Sequence, residues 1–268
     1  MFKLGSIGAG HMGMAILDAA VDNGLAKPSD ILTYEINPER RREVKNRSFS
    51  AAGSESEVFS NCQLLMLAVS PQVCEDLLDR LSKAVSRVQK KPTIVNIMAS
   101  ISSSYIQKHL GEDTPVITIM PTMGMKVGQG AAAISHTDNV PDTDLSYIMK
   151  IFYATGEANI VEEPLLKEIV AVNGCMPGYI FYIIEAFAKE AELQGIDYQM
   201  ALRMAARGFI GAAQQVLEGA SPKDMLAKVC TPGGLTAQGV ASFEENQLAQ
   251  ILADGMANSI RRGYELAK

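Results

Sequence analysis

The sequence predicts an α/β protein in two parts, a doubly wound parallel sheet followed by an all-α domain, and three observations predict it. Short β-branched runs alternate with helical patterns as far as residue 161. A glycine-spaced turn, Gly8-x-Gly10-x-x-Gly13, stands between the first of these runs and the first helical pattern. From Pro164 onward no strand candidate survives, and only helix-like segments follow.

The strand candidates are 3–7, 31–35, 64–69, 93–98 and 116–120, with 129–134 and 158–161 closing the series. Segments 11–25, 38–47, 71–87 and 102–110 lie between them with helical character, so the strands are joined by crossovers and pair in parallel. The polar cluster "SHTDNVPDTD" supplies a turn and a helix start before 142–153. Segments 165–172, 177–194, 197–218, 222–229 and 235–265 then read as helices, punctuated by Gly174, Gly195, Gly219 and Gly233-Gly234. The expected domains are therefore 1–161 and 162–268. The stretch "PGYIFYIIEAFAKEAELQG" is apolar nearly all round for two and a half turns. A helix of that kind must be buried, and the surrounding helices are too few to do it, so a second subunit is expected.

Composition narrows the partners. With 268 residues and a net charge of −6, the chain lacks the basic face that phosphate neutralisation needs, and a nucleic-acid partner is not expected. Four cysteines and three histidines show no metal-ligand spacing, which argues against a metal site and against a disulfide framework. The N-terminus carries no signal pattern and no apolar run of about 18 residues is evident, so a cytoplasmic protein without a membrane partner is expected. Fourteen methionines in the absence of tryptophan read as adaptable core filler.

The glycine turn has the chemistry of a dinucleotide site. Gly8 makes the tight turn, Gly10 lets the backbone approach a pyrophosphate, and Gly13 allows close helix and strand packing. The helix start at His11 and Met12 faces the anion. Glu35 ends the second strand at the distance expected of an acid that takes the ribose hydroxyls. It would repel the 2′-phosphate of NADP, whereas Arg40, Arg41 and Arg42 would attract it. The balance tips toward NADH, unless the arginines do more than solvate a helix face. Further turns end strands on the same edge: Ala68-Val69-Ser70-Pro71, Met98-Ala99-Ser100, and the turn that holds Thr122. That edge faces the ligand crevice of a doubly wound sheet.

In the helical half, "VCTPGGLTAQGV" interrupts two helices with Pro232-Gly233-Gly234 and sets Thr236 at the next helix start. With "IGAGHMG", "AVSPQ", "MPTMGMKVGQG" and "NGCMPGY", this stretch resembles the pyrroline-5-carboxylate reductases from end to end. That resemblance implies a Rossmann domain followed by a helical dimerisation domain, NAD(P)H as cofactor, a small cyclic imine as substrate, and a homodimer or higher homo-oligomer. It also implies that Thr236 hydrogen-bonds the ring nitrogen as hydride arrives, while Thr231, Gly233 and Gly234 hold the carboxylate. The chain departs from the family pattern at Ser70, at Thr122-Met123-Gly124, at Asn173-Gly174-Cys175-Met176 and at Leu235. Thr122, Asn173 and Leu235 are the departures expected to touch substrate.

Reduction of 1-pyrroline-5-carboxylate to L-proline is thus the expected reaction. The departures leave room for a divergent paralogue that reduces another imine or a ketone, or for a nucleotide-binding protein without catalysis. A 3-hydroxyacid dehydrogenase has the same outline but places Lys and Asn at i and i+4 on the first interdomain helix. Here Lys167 is followed at i+4 by Ala171, and that assignment falls behind.

Overall fold

A computed structural model describes residues 1–267. The first half builds one sheet from β1 (Phe2–Ile7), β2 (Ile31–Tyr34), β3 (Ser50–Ala51), β4 (Cys62–Leu67), β5 (Thr93–Asn96), β6 (Val116–Pro121), β7 (Gly130–His136) and β8 (Gly156–Ile160). Its strand order is β3-β2-β1-β4-β5-β6-β7-β8. Every pairing is parallel except that of β6 with β7. The crossovers are α1 (His11–Asp22), α2 (Pro38–Asn46), α3 (Glu55–Asn61), α4 (Cys74–Val85) and α5 (Ser103–Leu110), and α6 (Asp142–Tyr153) joins β7 to β8.

Burial follows from strand periodicity. Leu64 and Met66 of β4 join one core with Ile16 and Leu17 of α1 and with Ile148 and Ile151 of α6. The intervening Leu65 and Leu67 join a second core with Phe59, Leu77, Leu78 and Ile106. A strand apolar on both faces belongs in the middle of a sheet covered on both sides, which is where β4 lies. The edge at the strand N-termini is closed by polar groups. Buried Asp144 of α6 accepts hydrogen bonds from Gln63 Nε2 and from Thr93 Oγ1, both at 2.6 Å. Lys3 Nζ donates in turn to Gln63 Oε1 at 3.1 Å.

The chain continues as α7 (Leu166–Val172), α8 (Met176–Leu193), α9 (Tyr198–Leu217), α10 (Pro222–Val229), α11 (Leu235–Glu245) and α12 (Leu248–Leu266). Contacts divide it into two compact units, one of Met1–Gly174 with the return from Ser259, the other Cys175–Asn258. Relative to the expected 1–161 and 162–268, α7 therefore packs with the sheet. Asn173 is one reason: its Nδ2 donates to Met120 O at 2.7 Å and to Ala131 O at 3.2 Å.

Four elements differ from expectation. β3 and α3 are additional, and the segment expected to be one helix over 235–265 is broken at Gln247, whose φ of 54° lies in the left-handed region. Segment 71–87 opens as a 3-10 turn, Pro71–Val73, before α4.

In the second unit α8 packs on α9, yet Ala188 is its one buried residue, and Phe181 and Tyr182 are 71% and 79% exposed. The run Glu163–Leu193 is long and apolar enough to cross a membrane by length and composition, which corrects the expectation that no such run exists. It is not one rod: Asn173 to Cys175 separate α7 from α8.

Candidate active site

The glycine turn takes the shape that its residue types allow. Gly8 has φ of 92°, and a Cβ placed on it would lie 2.4 Å from Ala68 O. A Cβ on Gly13 would lie 2.9 Å from the Ala68 methyl, so the third glycine sets how closely α1 approaches β4. Gly10 differs from both: a methyl built there meets Arg40 Nη1 at 3.5 Å and nothing else within 4 Å beyond its chain neighbours. It caps α1 with an extended backbone and without a side-chain cap, and no acid lies in the first turn. The amides of His11 and Met12 therefore have no partner within the helix and favour an anion. His11 is exposed and Met12 half-buried, as a helix start beside a ligand requires.

Beside the turn a cavity of about 480 Å³ is bounded by Gly8, Glu35, Asn37, Arg40, Val69 and Ser70. This brings together the sequence-predicted residues of the first three strand ends, Ala68 included. Glu35, however, is turned inward. It is 8% exposed, its Oε2 accepts from Ala9 N at 2.7 Å, and its Oε1 accepts from Asn37 N at 2.8 Å. The acid that tips the sequence toward NADH is thus committed to shaping the glycine turn and the β2–α2 turn. Pro71 opens the 3-10 turn after β4, with exposed Ser70 at its cap.

At the next strand end, Asn96 clasps its own loop. Its Nδ2 donates to Ile101 O at 2.8 Å and its Oδ1 accepts from Met98 N at 3.0 Å. Between them Ala99 is exposed, Met98 is buried, and Ser100 adopts φ of 64°. Asn96 escapes a reading of strand and turn composition, and its signal was an amide at the last position of an apolar strand. Ser100 and Met98 line a small cavity of about 50 Å³ with Met120, Glu163 and Lys167. Glu163 accepts from the Ser103 amide at 2.6 Å and from its hydroxyl, which fixes the start of α5.

Two residues expected to meet substrate have structural partners. Thr122 is buried and its Oγ1 accepts from Ala131 N at 2.9 Å. Asn173 spends its amide on the β6 and β7 carbonyls described above. Both hold the β6–β7 pair.

The remaining candidates lie in the second unit. Thr231 accepts from Gly234 N at 2.9 Å through its carbonyl, closing the turn that Gly233 permits with φ of 71°. Gly234 caps α11 without a side-chain cap, and Leu235 and Thr236 are its first two residues. Their amides lack intrahelical acceptors. Leu235 is 94% exposed, and Thr236 is exposed beside it. The arrangement offers amide donors to an anion and one hydroxyl next to them. Among the described residues no group of three His, Cys, Asp or Glu side chains is placed to hold a metal ion.

Residues 163–266 match the family model described as "Pyrroline-5-carboxylate reductase dimerisation". Residues 3–100 match "NADP oxidoreductase coenzyme F420-dependent". The chain is similar to the pyrroline-5-carboxylate reductase of Escherichia coli K12, 31% identical over 99% of this chain and 98% of that one. It is 30% identical to that of Methanosarcina acetivorans over the same shares. Its fold is that of the Plasmodium falciparum pyrroline carboxylate reductase solved with NADP bound, with a TM-score of 0.89 at 21% identity over 100% of this chain and 98% of that one.

Proposed function

The chain belongs to the pyrroline-5-carboxylate reductase family, and from that premise we propose that it reduces 1-pyrroline-5-carboxylate to L-proline with NAD(P)H. The observation that carries the mechanism is the uncapped start of α11 behind the Thr231-Pro232-Gly233-Gly234 turn. The amides of Leu235 and Thr236 and the glycine turn receive the substrate carboxylate, because aligned N–H groups at a helix start favour an anion. Thr236 Oγ1 donates to the ring nitrogen and holds the C=N bond polarised. The nicotinamide, when bound, supplies a hydride to the imine carbon, and one proton from solvent completes the N–H. No base is needed, since hydride addition to the neutral imine takes up one proton and releases none, and positioning lowers the remaining barrier.

The first unit fits the dinucleotide. Gly10 meets only the Arg40 guanidinium, the first amides of α1 lack a side-chain cap, and a cavity of about 480 Å³ adjoins them. Val69, Ser70, Met98, Ala99 and Ser100 sit at the strand ends that would flank the nicotinamide half. Thr122 and Asn173 act by holding β6, β7 and α7 in register. The dimerisation match supports a homodimer as the working form.

The test follows the loss of reduced-nicotinamide absorbance with 1-pyrroline-5-carboxylate, then with larger cyclic imines. Turnover of the first is expected. Turnover of another imine alone would point to the paralogue reading, for which exposed Leu235 and Met123 and the departure at Met176 are the motive. Cofactor binding without turnover of any imine would overturn catalysis.

A further inference from the structure

We infer that Asn96 is a positioning residue for hydride transfer: it holds Ala99 and Ser100 in a strained tip that bounds the nicotinamide end of the dinucleotide. The assignment rests on the reading proposed above and deepens it. Among the described residues, three that are not glycine have a left-handed φ: Ser48 at 60°, Ser100 at 64° and Gln247 at 54°. Ser48 and Gln247 follow the C-caps of α2 and α11, where such a residue is an ordinary helix ending. Ser100 ends no helix. It lies between β5 and α5, and because β1, β4 and β5 run parallel it stands on the same sheet edge as the glycine turn.

A side chain disfavours that conformation, so the surrounding segment must supply what keeps it there. The backbone supplies little, since the Ile101 amide reaches Met98 O only at 3.5 Å. Asn96 supplies more, and from both ends of the tip. Its Oδ1 accepts from Met98 N at 3.0 Å and its Nδ2 donates to Ile101 O at 2.8 Å, so one amide spans residues 98–101. Met98 and Ile101 are each 3% exposed and Asn96 is fully buried, which leaves Ala99 and Ser100 as the part that faces outward. The clasp needs an acceptor and a donor on one short side chain. Asp lacks the donor, and Ser lacks the reach.

The flanks do not take up the strain. Downstream, Ser102 caps α5 by accepting from the Tyr105 amide at 3.2 Å, and Glu163 holds Ser103 in place. Behind the tip lies the cavity of about 50 Å³ between Ser100, Met120 and Leu166, into which the tip settles once the clasp is released. A released tip no longer bounds the nicotinamide, whereas the glycine turn, held by Tyr34 O and Glu35, keeps its shape. Loss of Asn96 therefore separates hydride transfer from affinity for the rest of the nucleotide.

The experiment compares the wild-type chain with Asn96→Asp, with Asn96→Asp combined with Ser100→Gly, and with Ser100→Val, each checked for folding by circular dichroism. The readouts are kcat with 1-pyrroline-5-carboxylate, the fluorescence of bound NADPH and NADH, and calorimetric affinity for ADP-ribose and its 2′-phosphate, which lack the nicotinamide. Asn96→Asp should lower kcat about tenfold or more and change the fluorescence of the bound cofactor, with ADP-ribose affinity held within about twofold. Glycine takes a left-handed φ without cost, so the double variant should recover about threefold or more of the lost kcat. Ser100→Val keeps the clasp but puts a β-branched side chain at the same φ; it should reproduce the loss, and it carries the test if Asn96→Asp does not fold. Full kcat in folded Asn96→Asp or in Ser100→Val would overturn the assignment, as would an equal loss of ADP-ribose affinity or a double variant without recovery. If no imine is turned over, the fluorescence decides: a changed signal in the variants supports the assignment, and an unchanged one overturns it while leaving cofactor binding in place. A chain that binds neither cofactor would overturn the dinucleotide reading and this assignment together.

Discussion

At the residue scale, the positions whose role is steric were legible and those whose role depends on orientation were not. Gly8 and Gly13 stand where a Cβ would collide with Ala68, and the helix start after Gly10 carries no side-chain cap. Glu35, Thr122 and Asn173 lie at the strand and helix ends expected of them, yet their polar atoms bond backbone groups. Residue type says that a carboxylate stands at a strand end; only the fold says which amides reach it first. Thr236 carries the sharpest test at this scale. Thr236→Ala should lower kcat by about 10²-fold or more with little change in cofactor affinity, and Thr236→Ser should recover most of it. Full kcat in Thr236→Ala would remove the hydroxyl from the reaction. Cys62 offers a second. Burial pushes its thiol from 9.0 up to about 12, with Gly5 and Val58 beside it. The folded chain holds this proton more tightly than the unfolded chain does. Its contribution to stability is therefore complete below the unfolded pKa and is lost as the pH rises from about 9 toward about 12. Iodoacetamide at neutral pH should leave Cys62 unmodified until denaturant is added, and mass spectrometry of native labelling at that site would contradict its burial.

At the element scale, the sequence reading omits β3 and α3 and joins α11 to α12. α3 spans seven residues, too few for a helical period to register. A capping signal was present all the same: Ser54 accepts from the Glu57 amide at 3.2 Å, and Glu57 returns a bond to Gly53 N at 2.7 Å. The break between α11 and α12 has no glycine or proline to announce it, because Gln247 itself takes the left-handed conformation. What orders the crossovers is polar closure of the sheet's N-terminal edge. Asp144 anchors α6 to β4 and β5 through Gln63 and Thr93, and its loss leaves one buried and one half-buried donor without their acceptor. Asp144→Ala should destabilise the first unit by about 1–3 kcal/mol. The measure is a lower denaturant midpoint of a sheet-reporting signal, with Thr93→Val losing less. An unchanged midpoint would mean that water replaces the carboxylate there.

At the scale of the whole molecule, the helical unit does not bury itself. The faces of α8 and α9 border an open apolar trough of about 500 Å³ lined by Phe187, Ile196, Met204, Gly208 and Phe209. Ala188 and Ala201 are the buried residues of these two helices, although α8 alone spans 18 residues. Monomeric proteins seldom leave so large an apolar surface to water, and obligate interfaces resemble a core cut in half. The dimerisation match spans this surface, and so does part of the run Glu163–Leu193 that has the length and composition of a membrane span. A chain of 28.8 kDa should therefore sediment as a dimer or a multiple of one. Met204 is 65% exposed in the single chain and lies in the trough, so a charge there costs little before association and a great deal after it. Met204→Glu should shift the sedimentation coefficient to that of the monomer while circular dichroism retains the signal of the sheet. A dimer that survives Met204→Glu at micromolar concentration would place the interface on another face of these helices.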